Sequence, residues 1–277
     1  MTNTVKIRGF VADKKKTMLF LYRKSHKLTY LIKLDYKSKS YNLTLGSCFY
    51  GRIYPNRSDI SADGKYFIYF ALGKSQKKYH KKLSYWTAIS AVPSLTALYL
   101  LEHNDTWTGG GRFSGKRIYL NVDKLDNAKA KFDSYKIIYG HRLEHGGWGC
   151  GKNWTLSEEQ FNPKYGTKYP IPKTWTKTNK SFSLIKTLNY RSHLKLKEGK
   201  AQGEYDLHSY ELIGSEKTKY SLDAQEPCLW ADFDNYDRLV LARGSMIYIY
   251  NNFDKFIKTE PIVSLDLELF VNNNKLR

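Results

Sequence analysis

One stretch of the chain, residues 140–154 with the sequence GHRLEHGGWGCGKNW, carries residue types that could perform catalysis. His141, Glu144 and His145 follow an order in which two histidines can bind zinc and the glutamate can lie beside a metal-bound water. That chemistry needs both histidines on one face of a helix. Here a strand-like run precedes the motif and Gly146 follows it, which leaves at most one helical turn. The sequence therefore predicts no metal and no cofactor. It favours a loop whose histidines make local hydrogen bonds, with a ligand-facing loop rich in Trp148, Trp154 and glycine as the alternative.

Two further patterns could support chemistry. The segment NDTWTGGGRF contains three consecutive glycines, which indicate an unusual backbone or the close approach of another group. A phosphate cradle is one function of such a run, but no Gly-Lys-Ser/Thr follows at the spacing of a nucleotide-binding loop. A hydrolase would instead need carboxylates that converge on one site, for which Glu144, Asp232 and Asp234 are the candidates.

Short strands must position these residues. The chain of 277 residues is 15% aromatic, and its β-branched and aromatic residues are typical of sheets. No apolar run approaches the ~20 residues of a membrane helix, and residues 1–10 lack a signal-peptide core. Cys48, Cys150 and Cys228 are too far apart for a zinc site. These features predict an all-β protein without a membrane span, located in the cytoplasm with reduced thiols.

The order of elements is clearest in residues 230–250, WADFDNYDRLVLARGSMIYIY. A strand leads through an Asp-rich turn into a second strand, and the Gly244-Ser245 pair then predicts a tight hairpin to a third. A similar unit occurs in residues 58–73, where Lys65 aligns with Arg238. A third, weaker copy occurs in residues 13–22. The offset between the copies at 58–73 and 230–250 corresponds to about four blade lengths of ~43 residues, which suits the radial repetition of a propeller.

The predicted fold is therefore a single all-β propeller domain over residues 1–277, with six blades and with five or seven as alternatives. Its first blade would consist of strands at 5–12, 17–23, 27–34 and 41–46, and a second would begin at Arg52. Residues 95–101 predict either a short helix or a buried strand. The segment VSLDLELF near the C-terminus alternates as a strand does, and it is expected to complete the first blade and close the ring.

These patterns resemble a known kind of protein. The segments IYPNRSDISADGKYFIYFA and WADFDNYDRLVLARGSMIYIY are similar to blades of bacterial β-propellers of the WD40 or TolB-like kind, although the Gly-His and Trp-Asp signatures of standard WD40 repeats are missing. The resemblance covers about half the chain. It implies an accessory component of a bacterial conflict, defence or signalling system, and it implies no particular ligand.

Charge is the strongest compositional feature, with 46 Lys and Arg against 26 Asp and Glu and a formal net charge of +20. This balance favours an acidic partner, although lysines spread along the whole chain also suit a solvated surface that protects sheet edges. Lysines are concentrated in one segment only, residues 74–82 with the sequence KSQKKYHKK.

The leading hypothesis is a non-enzymatic scaffold that binds a protein partner through the propeller face. Aromatic and arginine side chains usually anchor such surfaces. The same residue types also fill seams between sheets, so each of the following has a structural interpretation beside the binding one: Arg57, Asp59, Trp86, Trp107, Arg112, His141, Trp148 and Trp154. The alternatives are a nucleic-acid-binding protein that uses the basic, Tyr-rich surface and a propeller hydrolase with a carboxylate or histidine site.

Overall fold

The chain divides into two compact units. Unit 1 comprises residues 1–5 and 10–149, and unit 2 comprises residues 6–9 and 150–277. The structure is a computed structural model, and it describes residues 5–74, 83–106, 108–122, 131–139, 154–159, 173–179, 182–188, 208–214, 218–224, 226–251 and 260–274. The single domain over residues 1–277 stays a prediction.

A seven-stranded curled sheet dominates the first part of the chain. Its strands follow one another in chain order, β1 to β7. All the pairings described between β2 and β7 are antiparallel. The strands are β1 (Lys6–Val11), β2 (Thr17–Ser25), β3 (Leu28–Tyr36), β4 (Tyr41–Ile60), β5 (Tyr66–Lys74), β6 (Leu83–Ala91) and β7 (Ala97–His103).

Strand β4 shows why the propeller prediction is wrong. It runs without interruption for 20 residues, pairing with β3 through its first half and with β5 through its second. The expected break between one blade and the next is therefore part of a strand, and seven strands join in one sheet. The two glycines in this stretch allow other segments to approach closely, because a Cβ on Gly46 would collide with Pro93 and one on Gly51 would meet the Leu72 carbonyl oxygen at 2.5 Å.

A second, four-stranded sheet completes the described part of unit 1. Its spatial order is β10-β11-β9-β8, and its β11–β9 pair is parallel. A parallel pair departs from the up-and-down meander of a propeller blade. The strands are β8 (Gly111–Ser114), β9 (Arg117–Leu120), β10 (Lys131–Phe132) and β11 (Tyr135–Ile138).

Unit 2 contains two antiparallel sheets of five and four strands. The first is formed by β12 (Thr155–Glu159), β13 (Lys173–Thr178), β14 (Ser183–Leu188), β15 (His208–Ile213) and β16 (Lys219–Ser221). The second is formed by β17 (Trp230–Phe233), β18 (Leu239–Arg243), β19 (Met246–Tyr250) and β20 (Val263–Asp266), and is followed by helix α1 (Leu267–Asn274). A core cluster in this unit includes Leu184, Tyr210, Leu212, Leu239 and Leu241.

The C-terminal segment does not close a ring. Strand β20 pairs with β19, its predecessor in the chain, and the remainder of the predicted strand is helical. Asp266 begins the helix because its Oδ1 accepts hydrogen bonds from the backbone N–H groups of Glu268 (2.9 Å) and Leu269 (3.1 Å). Leu267 and Val271, one turn apart, are buried. The alternation of apolar and polar residues in VSLDLELF predicts one strand. The Asp266 N-cap and the helical spacing of Leu267 and Val271 instead begin a helix after Asp266.

Most of the local predictions are confirmed. The three strands predicted in residues 230–250 form β17, β18 and β19. The alignment of Lys65 with Arg238 places Gly64 on Asp237, and both residues have positive φ, +68° and +60°. Residues 97–101 belong to strand β7, the last strand of the seven-stranded sheet among the described residues, so the strand alternative is confirmed and the helix is wrong. The predicted burial of this strand is also wrong, because Leu98 and Leu100 are exposed.

Candidate nucleic-acid interface

Two of the predicted binding residues, Arg57 and Asp59 on β4, hold neighbouring segments in place. Arg57 Nη1 donates to the carbonyl oxygens of Thr106 (2.5 Å) and Thr108 (2.9 Å), and so anchors the segment after β7. The buried Asp59 carboxylate accepts from the N–H of Phe113 at 2.8 Å, which joins β4 to β8. Both side chains therefore contribute to the structure of unit 1, and their role in binding stays a prediction.

The other predicted binding residues that the structure describes are divided between the two units. In unit 1, Trp86 is half-buried edge-on to Phe49, and the exposed Arg112 lies over the ring of Tyr119. In unit 2, Trp154 is half-buried with the Lys186 ammonium 5.7 Å from its ring. Three more lie outside the described residues: Trp107, His141 and Trp148.

The carboxylates considered for a hydrolase already have structural partners. Asp232 accepts from Lys177 Nζ at 2.6 Å, and Asp234 accepts from Arg238 Nε at 2.6 Å. Glu144 lies outside the described residues, as does His145. Within the described ranges no three His, Cys, Asp or Glu side chains are grouped so that they could hold a metal ion.

The triple glycine packs closely against β4 and β5 of its own unit. A Cβ on Gly109 would collide with the ring of Phe70, and one on Gly110 would collide with the backbone of Arg57. The Gly110 N–H donates to Thr87 Oγ1 at 2.7 Å. The run therefore provides room for a turn beside β4 and β5, in accordance with the structural turn that the sequence favours.

His103, at the end of β7, lies beside this turn. Its Nε2 is 2.8 Å from Thr87 Oγ1 and its Nδ1 is 3.2 Å from Thr108 Oγ1. Burial lowers the pKa of His103, and the Arg57 guanidinium lowers it further, whereas Asp105 raises it. The neutral ring is therefore the form that the fold accommodates.

This environment predicts a pH dependence of stability. The folded-state pKa of His103 is depressed. The contribution of its neutral ring to stability is therefore fully present above the unfolded pKa of 6.5 and is lost as the pH falls from 6.5 towards the folded pKa. Urea unfolding at about pH 7.5 and about pH 5.5 should therefore show a smaller loss of stability in His103→Gln than in the wild type. His26→Gln, at an exposed site in the same unit, is the control. Equal losses in the wild type and His103→Gln would contradict the prediction.

A different surface of unit 1 combines an exposed aromatic ring with basic side chains. Tyr50 on β4 is 73% exposed, and Arg52 is exposed two residues further along the same strand. Tyr50 lies opposite Leu28, and the Gly51 N–H donates to the Lys27 carbonyl oxygen at 2.8 Å, which brings the β2–β3 hairpin beside it. The group, called the Tyr50 surface below, consists of His26, Lys27, Tyr50 and Arg52.

The segment of chain that contributes this surface is strongly basic. Residues 14–58 contain eleven Lys and Arg and one acidic residue, Asp35. Asp35 accepts from Thr17 Oγ1 and forms an ion pair with Lys33, so its charge is engaged within the sheet. These contacts lower the pKa of Asp35 although burial opposes them. A polyanion that approached the hairpin would therefore meet little repulsion from acidic side chains.

Sequence reasoning missed the Tyr50 surface because it placed a break between strands at residues 47–51. A signal was present in the sequence, because residues 14–58 contain almost no acidic residues. The composition of the whole chain does not show this local imbalance. Comparison of the sequence with protein-family models and with curated proteins finds no match. The resemblance to bacterial propellers stays a prediction. Among the described residues, no helix is long and apolar enough to cross a membrane.

Proposed function

We propose that this protein is a non-enzymatic binding protein that holds single-stranded nucleic acid on the Tyr50 surface. The observation that carries the proposal is the 73% exposure of Tyr50 beside Arg52 and the β2–β3 hairpin. Single strands are held by aromatic rings on which bases stack and by cations that follow the backbone. Stacking accepts any base, so the proposal implies weak sequence preference.

The position of Tyr50 suits stacking. Cys48, Tyr50 and Arg52 alternate with less exposed neighbours along β4, so the ring and the guanidinium project from one face of the strand. Arg52 also lies over the ring of Tyr54, 4.6 Å from its centroid, which helps to hold the guanidinium in place. A base stacked on Tyr50 would bring its phosphate towards Arg52 and the Lys27 ammonium.

A protein partner is the second candidate, favoured by a separate feature. Leu98 and Leu100 are 58% and 53% exposed on β7, the last strand of the seven-stranded sheet. Among the described residues β7 has no further strand beside it, and an apolar edge strand can pair with an extended peptide. A protein partner of a scaffold would therefore bind at β7 rather than at a propeller face. A cytoplasmic location and a place in a bacterial conflict, defence or signalling system stay predictions.

The test is the binding of fluorescein-labelled oligo(dT) and oligo(rU) to the full chain, measured by anisotropy at several salt concentrations. Tyr50→Ala should weaken binding by about 5- to 150-fold, since stacking contributes ~1–3 kcal/mol per base, whereas Tyr50→Phe should retain it. Changing Lys27 and Arg52 together to Gln should reduce the slope of log K against log salt by about 1.4, at ~0.7 per phosphate contact.

A charge-matched control separates a specific surface from diffuse charge. Lys37→Gln with Lys39→Gln removes two exposed lysines from the β3–β4 turn, outside the Tyr50 surface. This variant should bind nearly as well as the wild type. Equal weakening by both double variants, or no effect of Tyr50→Ala, would overturn the proposal. If oligonucleotides do not bind even at low salt, the Leu98 edge becomes the surface to test with Leu98→Lys.

A further inference from the structure

The longest stretch of the chain without Lys or Arg forms one end of the seven-stranded sheet. Residues 83–111 contain neither, although 46 of the 277 residues are Lys or Arg. The stretch includes β6 and β7, whereas each of β1 to β5 contains at least one Lys or Arg. Proteins commonly place lysines on edge strands to prevent pairing with other chains. Strand β7, the last strand of this sheet among the described residues, lacks that protection.

One face of β7 combines apolar and acidic side chains. Leu98 and Leu100 are 58% and 53% exposed, and Glu102, the next residue in the alternation, is also exposed. Alternation along a strand places these three side chains on the same face. Glu102 and Asp105 are the two acidic residues of the stretch 83–111. The strand therefore presents two apolar side chains followed by a carboxylate.

This face of β7 continues the core of unit 1 outwards. Leu100 lies opposite Ala88 on β6, and Glu102 lies opposite Trp86. Ala88 is fully buried in a core cluster against which Trp86 packs. A strand added beside β7 would cover the two exposed leucines and extend this apolar face by one strand.

The spacing and charge of β7 select the kind of strand that could pair with it. Residues opposite one another in two paired strands share a face, and opposite charges in such positions stabilise a sheet. A partner strand would therefore carry apolar residues opposite Leu98 and Leu100 and a Lys or Arg opposite Glu102. A second copy of β7 does not meet this requirement, because β7 contains no Lys or Arg.

We propose that β7 pairs with an extended segment of a partner protein that carries two apolar residues at alternate positions and a Lys or Arg two positions from one of them. The backbone of the segment would supply the affinity, and Leu98, Leu100 and Glu102 would supply the specificity. This inference rests on the second candidate function, a protein partner at β7, and is independent of the Tyr50 surface.

The test uses two fluorescein-labelled peptides, so that antiparallel and parallel pairing are both covered. Their sequences are Thr-Lys-Thr-Val-Thr-Val-Thr and its reverse. Binding to the full chain is measured by anisotropy at about 150 mM salt, where long-range repulsion is screened. One of the two peptides should bind saturably, and its counterpart with Glu in place of Lys should bind about fivefold more weakly. No saturable binding of either Lys peptide, or equal binding of the Lys and Glu peptides, would refute the proposal.

Methylation of the peptide nitrogens tests whether the backbone pairs with β7. Alternate amides of a strand point to opposite edges, and only one edge of the peptide would face β7. Methylating one alternate set of amides should abolish binding, while methylating the other set should preserve it. Equal effects of the two sets would show that the peptide does not bind as a strand, which contradicts the proposal.

Variants of β7 test the side chains. Leu98→Lys should weaken binding of the Lys peptide about tenfold or more, because it removes an apolar contact and adds a like charge. Glu102→Lys should weaken binding of the Lys peptide and strengthen that of the Glu peptide, a reversal that a merely structural role of Glu102 would not produce. An unchanged preference in Glu102→Lys would rule out the assigned charge pair.

Two further measurements separate this inference from the alternatives. Tyr50→Ala should keep peptide binding and Leu98→Lys should keep oligonucleotide binding, so that either surface can fail without the other. Sedimentation of the chain alone tests a second copy as the occupant. A dimer that Leu98→Lys converts to a monomer would show that β7 pairs with its own copy, and the proposal would then be wrong.

Discussion

Replacing Asp234 with alanine is expected to lower the free energy of unfolding by about 3–5 kcal/mol, because it leaves a buried guanidinium without its carboxylate. The side chains of Asp234 and Arg238 are 0% and 4% exposed, and their closest ion-pair distance is 2.6 Å. Asp234 Oδ1 also accepts from the backbone N–H groups of Tyr236 (2.8 Å) and Arg238 (2.9 Å). The same substitution thus removes the cap of the turn between β17 and β18.

Urea unfolding of three variants separates these two contributions. Asp234→Asn keeps an oxygen for the two backbone donors and should lose less stability than Asp234→Ala. The double variant Asp234→Asn with Arg238→Met removes both charges, so it should recover part of the loss caused by Asp234→Asn alone, as buried pairs often do. A double variant no more stable than Asp234→Asn would show that the ion pair has little influence on the loss.

The Asp234 turn also shows what could be predicted from sequence. A short apolar run before Asp-Asn-Tyr-Asp, another after it and a Gly-Ser pair beyond specify three strands, because every signal is local. The turn at Ser61–Lys65 follows the same logic, with Asp63 Oδ1 accepting from Ser61 Oγ at 2.6 Å and from the Lys65 N–H at 3.1 Å.

The way strands join into sheets could not be predicted. Whether Gly46 and Gly51 end a strand or let another segment approach depends on Pro93 and Leu72, which are distant in the sequence. Pro55 is likewise tolerated inside β4 because the register against β5 shifts between Tyr54 and Asp59. A blade boundary and a continuous strand therefore have the same local pattern.

The candidate sites depended on the same long-range information. The alternative hypothesis of nucleic-acid binding named basic and tyrosine side chains as a class, and it stays a prediction. Tyr50 itself was not named, because its exposure follows from the continuation of β4 past residue 46. The contact between Arg8 and Tyr210, which are 202 residues apart in the chain, likewise depends on long-range packing that no local pattern predicts.

Replacing Gly110 with alanine is expected to cost about 2–5 kcal/mol. Its φ of +81° lies where an L-residue costs ~1–2 kcal/mol, and the new Cβ would collide with the backbone of Arg57, for which overpacking typically adds ~1–3 kcal/mol. The turn cannot relax easily, because the Gly110 N–H is held by Thr87 and Arg57 itself donates to the carbonyl oxygens of the same segment.

Gly115 provides the matched control for the backbone contribution. Its φ is +55°, but a Cβ there would have nothing within 4 Å, so Gly115→Ala should cost only about 1–2 kcal/mol. The difference between the two variants in urea unfolding measures the steric contribution at Gly110. If the triple glycine were a phosphate cradle instead, Gly110→Ala would be about as stable as Gly115→Ala, and phosphate would stabilise the wild type more than Gly110→Ala. Because the Arg57 backbone already occupies the space beside Gly110, we expect the difference in stability and no difference in the response to phosphate.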